Sequence, residues 1–577
     1  MSALVKKINY FQFIFLVIPI IIYFYFIHRF GVNMISGDDR IFINVVRKFF
    51  ARNLSFSEIW APINGHRVIF PDLYFIISAK FFHMNMKATM YLGWAFLIGS
   101  FLFLLKIYKK RVGASLYPMI PVSLMMFTLS QWESTLMGLQ IGWYFILFCL
   151  TGMMFLLEKT GENHWAFGAA IALAVFASFS SFEGLFLWEV GLVYIFYNRF
   201  NLYQKFIWMF FSFAITKIYF QGTGGEQVLL SYALSHLQTS VEFLLIAVSS
   251  FFPITQTLQM FSAVSDHKNL IQESIGFFLL FVGVYAFILA VVRIGKDKRL
   301  LAPLGILCFS LIYFGSLTAG RVIVGLKAAM SSHYITFSML FPLSIYLVLL
   351  YVSKEKTNKT TRFLLVFLSA LIILQFFQSL YLGLIGGRSS RNYYMYNARI
   401  ISNINKMKDP LLLKIIILKY ISYFEDVDDF DKDIPFMEKY KLSVFGSSKL
   451  PIYLSEGLPR ITLPKETLLP VPSMLQTYIR KNPEACTAWY VVSFLYNSKW
   501  DLQLAFPLSS NTSLAKVVNW EMNADKIHDL MSPYQKVLLR MKEIIEINPG
   551  GADNKSPDSA MCSQTGQWFE TRSEPLH

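Results

Sequence analysis

Residues 87–111 read KATMYLGWAFLIGSFLFLLKIYKKR, an apolar run to Leu105 that closes on Lys106, Lys109, Lys110 and Arg111. A run of that length crosses about 30 Å of hydrocarbon as a helix, and a basic cluster at one end holds that end in the cytoplasm. The helix therefore enters from outside, which constrains its neighbours. The apolar run at 10–27 follows Lys6 and Lys7, placing the N-terminus in the cytoplasm, and no small-residue cleavage site follows it, so it reads as an uncleaved signal-anchor. Residues 31–86 then form one external loop. Its apolar stretch at 68–82 contains Pro71, Asp72 and Lys80. A crossing there would carry the 106–111 cluster outside, so this stretch reads as an interfacial helix.

Further spans are expected at 115–131, 139–157, 166–182, 184–198, 205–220, 275–294, 301–318, 334–352 and 363–384, with Lys159, Arg199, Lys205, Arg293, Lys296, Lys298, Arg299, Lys354, Lys356, Lys359 and Arg362 all cytoplasmic. The total is about eleven, and an odd number puts the C-terminus outside. The apolar stretch at 241–260 is broken by Pro253 and reads as a re-entrant hairpin or interfacial helix, because a full crossing would invert everything after it.

Composition gives the same class. Of 577 residues 55% are hydrophobic and 17% aromatic, and only 15% are charged where soluble domains carry about 25%. Mean hydropathy is +0.48. These values exclude a soluble enzyme, a disordered chain and a disulfide scaffold. The +16 balance comes from short basic clusters between apolar runs, which set topology and do not suggest nucleic acid as a partner. The expected fold is an all-α polytopic membrane domain over 1–385, a small α/β external domain over 386–548 with a strand-like stretch at 488–496, and a disordered tail over 549–577. Cys149 and Cys308 lie in apolar runs, leaving Cys486 and Cys562 for a disulfide in an oxidising exterior.

Ionisable groups at a membrane boundary cost free energy and so point to function more strongly than soluble surface charges do. The first external loop opens with SGDDR, residues 36–40, and later reads INGHR, residues 63–67. Asp38 and Asp39 can raise one another's pKa and supply a general base, while His66 and Arg67 can hold a phosphate leaving group. The competing reading is a solvated turn in which Asp38 caps a helix. Arg321 and His333, with Tyr334 beside them, form a second set that can bind phosphate, against the alternative of an arginine snorkelling to lipid headgroups. Glu133, Glu183 and Glu189 form a third, with Gln140 and Trp143. The acidic run at 425–431 lacks the glycine and spacing of a calcium loop and reads as a solvated face. No Walker loop, dinucleotide fingerprint or zinc spacing appears in the chain, and no metal is strictly needed for the chemistry these residues suggest.

The loop sequence INGHRVIFPDL, the stretches QWESTLMGLQIGW and SSFEGLFLW, the segment from Gly320 and Arg321 to SSHY, and YKLSVF at 440–445 resemble, in order, the motifs of a family of bacterial polytopic proteins. That family looks like the GT-C-type glycosyltransferases, including the glucosyltransferases that modify O-antigen. The resemblance covers roughly residues 1–445. It implies a bacterial inner-membrane enzyme that takes a sugar from a polyprenyl-phosphate donor and transfers it, with inversion, to an envelope glycan or glycolipid of the lipopolysaccharide type on the periplasmic face. It also implies that Asp38 or Asp39 acts as base. Two positions depart from the family pattern: Gly65 stands for its usual Glu, and His333 for the Arg before Tyr334. An O-antigen polymerase and a lipid or sugar transporter are the competing functions. A transporter of the repeat type would show matching halves with interrupted midplane helices, which the sequence lacks.

The charge pattern makes a testable topology. Reporter fusions after Arg111 and after Arg362 are expected to read as cytoplasmic, and fusions at Asn53 and Asn405 as external. An external signal after Arg111 would mean that 68–82 crosses the membrane.

Overall fold

The computed structural model describes residues 2–35, 37–63, 65–113, 115–160, 165–198, 200–222, 226–254, 268–353, 359–403 and 427–446, with strand segments at 461–462, 489–496, 499–507, 540–547 and 572–573. Cys486, Cys562, the 508–539 segment and most of the 549–577 tail lie outside the described residues, as does the side chain of Asp38. The chain divides into two compact units, one of Met1–Asn33 with Ile41–Arg391, the other of Met34–Arg40 with Asn392–His577.

The first unit is helical. Its helices are α1 (Ser2–Phe30), α2 (Ile41–Phe50), α3 (Phe56–Trp60), α4 (Ile69–Phe82), α5 (Met86–Arg111), α6 (Ile120–Met126), α7 (Trp132–Leu136), α8 (Ile141–Lys159), α9 (Trp165–Ser178) and α10 (Phe186–Tyr197). There follow α11 (Leu202–Phe220), α12 (Glu226–Ser235), α13 (Leu237–Ser249), α14 (Lys268–Arg293), α15 (Leu301–Arg321), α16 (Ile335–Ser338), α17 (Leu340–Ser353) and α18 (Lys359–Asn403), the last running into the second unit. Among the described residues seven helical stretches are long and apolar enough to cross a membrane: Tyr10–Phe30, Met86–Arg111, Gly138–Lys159, Asn269–Arg293, Lys298–Val324, Ser332–Ser353 and Lys359–Met395.

The other expected spans take different forms. The 115–131 stretch is a relay of two 3-10 turns around α6, a helix of 7 residues, because Pro118 and Pro121 stand near its start. Helices α9 and α10 have 14 and 12 residues, about 21 and 18 Å at 1.5 Å per residue, and α11 has 19. Helix α4, at 14 residues, is likewise short of a crossing by length.

Packing fixes the directions. Phe96 and Phe103 of α5 meet Phe145, Phe148 and Phe155 in the same order along α8, and Arg111 Nε donates to Glu158 Oε2 at 3.1 Å where both helices end, so α5 and α8 are parallel. Two parallel neighbours require the chain to return between them. The 116–135 stretch makes that return beside α1, in the same direction: Leu116 N–H donates to Gln12 Oε1 (3.0 Å), Ser123 Oγ to Leu16 O (2.8 Å), and Tyr23 OH lies 2.7 Å from Thr135 Oγ1.

Burial sorts the helices into centre and rim. Residues 334–352 are all buried, while α14 and α18 turn Phe277, Phe281, Val292, Phe363 and Phe377 outward, as lipid-facing helices do. Between them the backbones approach at small residues, as membrane helices do in the absence of a hydrophobic drive between them. A Cβ on Gly191 of α10 would stand 1.9 Å from the Trp208 ring of α11, and one on Gly276 of α14 would stand 2.0 Å from the carbonyl oxygen of Leu245 in α13. Helix α13 stops at Ser249, and its end is capped from the side: Gln272 Nε2 donates to Ser249 O (2.9 Å) and Phe252 O (3.1 Å), and Gln378 Nε2 to Pro253 O (2.9 Å). Chain broken at Pro253 is thus satisfied by amides of neighbouring helices.

In the second unit the Ile35 N–H donates to Ser443 Oγ at 3.1 Å, tying the first-loop residues Met34–Arg40 to the segment after helix α19 (Val427–Lys439). Further along, β1 (Ile461–Thr462) pairs antiparallel with β5 (Arg572–Ser573). Strand β2 (Trp489–Tyr496) lies between β3 (Lys499–Pro507) and β4 (Arg540–Ile547), antiparallel to both.

Gly276→Ala forces a side chain against a backbone carbonyl, so the apparent melting temperature in detergent is expected to fall, with about 1–3 kcal/mol lost to overpacking. An unchanged melting temperature would show that α13 and α14 separate without cost.

Candidate active site

The strongest polar geometry in the first unit joins α7 to the 3-10 turn that precedes α16. The backbone between Phe127 and Ile141 is irregular, alternating 3-10 turns with the single turn and a half of α7. That irregularity turns Glu133 toward the Ser332–Tyr334 turn. Glu133 Oε2 accepts from the His333 backbone N–H at 3.0 Å and lies 3.0 Å from His333 Nδ1. In return the Glu133 N–H donates to Ser332 Oγ (3.2 Å), and Ser332 Oγ donates to Ser130 O (2.6 Å). Burial pushes the Glu133 carboxyl up, but the hydrogen bonds and charge of His333 outweigh it and the net displacement is downward, so the group is ionised at neutral pH.

The pair is braced from behind. Ser134 Oγ donates to His333 O (3.0 Å), Thr336 Oγ1 lies 2.9 Å from Ser134 Oγ and 3.2 Å from Gln131 Oε1, and Gln131 Nε2 donates to Met126 O (2.8 Å). Trp143 packs its ring 6.0 Å from His333 and 6.3 Å from Tyr334. In front of Glu133 opens a cavity of about 160 Å³, lined by Ser130, Trp132, Glu133, Ser331 and Ser332 on its polar side and by Pro253, Met330, Ile335 and Leu382 on its apolar side. At about 30 Å³ per water it has room for about five waters or a ligand of single-ring size.

A second cluster stands at the turn between α9 and α10. Ser181 Oγ donates to Glu183 Oε2 at 2.5 Å and lies 3.4 Å from His66 Nδ1, which also accepts the Phe182 N–H at 3.3 Å. His66 reaches this turn because Ile63 and His66 exchange backbone hydrogen bonds of 2.8 Å across Gly65, whose φ of +79° is left-handed. A glutamate there would be strained, which accounts for the glycine. Tyr334 lies in the field of Arg321, Glu183 and Glu133 together, and Tyr313 in that of Glu183 and Arg321. Glu133 and His333 thus meet in one contact and His66 meets the Ser181–Glu183 turn in another, with Tyr334 in the field of Glu133, Glu183 and Arg321. Arg321 ends α15 and is exposed, and its side chain makes no hydrogen bond among the described residues.

Arg67 departs from expectation. Its Nε donates to Tyr219 O at 2.6 Å, its Nη1 and Nη2 to the carbonyls of Trp60 and Gln221, and the guanidinium lies 4.5 Å over the Trp60 ring. At 1% exposure it clamps the first loop to the end of α11 and has no fork left for a phosphate. Asp39 belongs to the second unit and is 2% exposed. It is a charge neighbour of Arg40, whose guanidinium burial lowers to about 9 against the opposing pull of Tyr393, Asp39 and Asp433.

Sequence reasoning passed over Ser181, Ser134, Thr336 and Gln131, since hydroxyls and amides inside apolar runs carry no pattern. It also used Asp72 only as an argument against a span. Among the described residues no group of three or more His, Cys, Asp or Glu side chains could hold a metal ion. No protein-family model, curated protein or solved structure matches the chain.

Asp72, in the first turn of α4, is 1% exposed and its Oδ1 has no hydrogen-bond partner. Burial alone raises its carboxyl to about 7. The unfolded carboxyl titrates near ~3.9, so the folded state favours the protonated form: its full stability is present below pH ~4 and is lost as pH rises through about 7. Melting curves of the wild type and Asp72→Asn are therefore expected to diverge in favour of the variant between pH 4 and 7 and run parallel above it, by up to about 4 kcal/mol. A constant difference across this range would show a hydrated carboxylate.

Proposed function

We propose that the protein is a membrane glycosyltransferase that moves a sugar from a polyprenyl-phosphate donor to an envelope glycan acceptor on the external face. The observation that carries this reading is the cavity beside Glu133, where a carboxylate held by an imidazole stands among serine hydroxyls and the Trp132 indole. Carbohydrates are bound by such a mixture of aromatic faces and hydrogen-bonding groups. Arg321 supplies the charge for the phosphate that leaves, and the exposed apolar helix faces give a lipid-linked donor its approach.

The reading takes about eleven crossings in a bacterial inner membrane, with a cytoplasmic N-terminus and an external α/β domain after the last crossing. The return of the 116–135 stretch beside α1 supports that count. The motif order QWESTL, SSFEGL, GR and SSHY supports membership of the GT-C-like family, since these are the segments that supply the site. Of the first-loop acids, Asp39 is buried beside Arg40.

Reconstituted in proteoliposomes with polyprenyl-phosphate [14C]glucose and purified lipopolysaccharide, the protein is expected to transfer label to the glycan. Arg321→Lys keeps the charge but not the planar fork, and is expected to lower transfer about tenfold or more. Movement of donor across the bilayer without transfer would favour a transporter, and unchanged transfer in Arg321→Lys would remove Arg321 from the phosphate.

A further inference from the structure

We propose that His333, oriented by Glu133, is the proton acceptor of the transfer reaction. This rests on the glycosyltransferase reading above. A carboxylate only accepts hydrogen bonds, so the proton in the 3.0 Å contact between Glu133 Oε2 and His333 Nδ1 belongs to Nδ1. In its neutral form the ring then presents Nε2 as a lone pair. Nε2 makes no hydrogen bond among the described residues, and the His333 and Glu133 side chains are each 32% exposed. A carboxylate fixing one imidazole nitrogen so that the other can take a proton is the arrangement by which hydroxyl groups are activated in acyl transfer.

Rotation of the pair is blocked on several sides. The same Oε2 accepts the His333 backbone N–H, Trp143 packs on the ring, and Ser134 holds the His333 carbonyl. Glu133 lines the cavity together with Ser331, Ser332 and Ile335, the residues that flank His333 in the chain. By contrast, Asp39 is enclosed beside Arg40. In the reaction the acceptor hydroxyl oxygen forms a bond to the anomeric carbon. The bond from that carbon to the phosphate oxygen breaks, its electron pair leaving with the polyprenyl phosphate. The hydroxyl proton passes to His333 Nε2, Glu133 stabilises the resulting imidazolium, and the proton is afterwards released to water. Glu133 is the positioning residue and His333 the catalytic one.

The test compares wild type, His333→Asn, His333→Arg, Glu133→Gln and Glu133→Asp as full-length protein in proteoliposomes, using polyprenyl-phosphate [14C]glucose and lipopolysaccharide. Loss of general-base catalysis is expected to lower kcat about 10²-fold or more in both His333 variants while the KM for donor stays within about twofold. Glu133→Gln is expected to follow them, and Glu133→Asp to recover part of the rate. Diethyl pyrocarbonate, which adds to an unprotonated imidazole nitrogen, is expected to modify His333 in the wild type, as mapped by mass spectrometry, and to abolish transfer. This arm decides the matter if a variant fails to fold. An active His333→Arg, or a raised KM with kcat kept, would overturn the assignment and make His333 a phosphate contact, as would a modified His333 with transfer intact. Wild-type protein that transfers no label would instead sink the enzyme reading, and the proton step with it.

Discussion

Irregular backbone among apolar helices is tolerated only where every freed amide and carbonyl finds a partner inside the protein. The Phe127–Gln140 stretch meets that constraint through Gln131, which is fully buried. Its amide donates to Met126 O, its side-chain carbonyl receives Tyr144 OH at 3.4 Å, and its backbone carbonyl receives Thr135 Oγ1 at 2.9 Å. Thr128 and Ser130 receive Gln375 Nε2 of α18 at 3.2 and 3.1 Å, and Leu129 N–H donates to Ser379 Oγ at 3.3 Å. One non-helical segment is thereby tied to α1, α8, α18 and the turn before α16.

The candidate site follows from the same irregularity. A continuous helix through 127–141 would direct Glu133 by its helical phase alone. Broken into short turns, the segment brings the Glu133 carboxylate to the His333 backbone and ring and leaves a cavity beside it. Buried hydroxyls on both sides of the contact make the network costly to satisfy in part, which favours one arrangement of the turn over alternatives. The end of α13 repeats the principle with glutamines from two neighbouring helices in place of hydroxyls.

Arginine shows how one residue type divides into roles. Arg67 and Arg321 are both basic groups next to apolar helices, and a phosphate role was a reasonable reading for each. The structure spends Arg67 on three carbonyls and the Trp60 face, whereas Arg321 is exposed at the end of its helix. The difference is decided by the end of α11, whose carbonyls converge on Arg67 from residues about 150 positions away in sequence.

The sequence by itself determined the membrane class, most of the long helices and the residue types at the candidate site. Hydropathy and flanking charge are sums over neighbours in the chain, so they survive without any fold. It also pointed to Pro253 as a break. Only the tertiary structure decided that the 115–131 stretch returns as a proline-broken relay, that Arg67 is a clamp, that Asp39 groups with Asp433, and that Glu133 and His333 meet. The Glu133–His333 contact joins residues 200 positions apart, and Leu129 and Ser379 are 250 apart. No local pattern encodes such pairings, because a hydroxyl or carboxylate gains its partner only when packing removes the water that would otherwise serve.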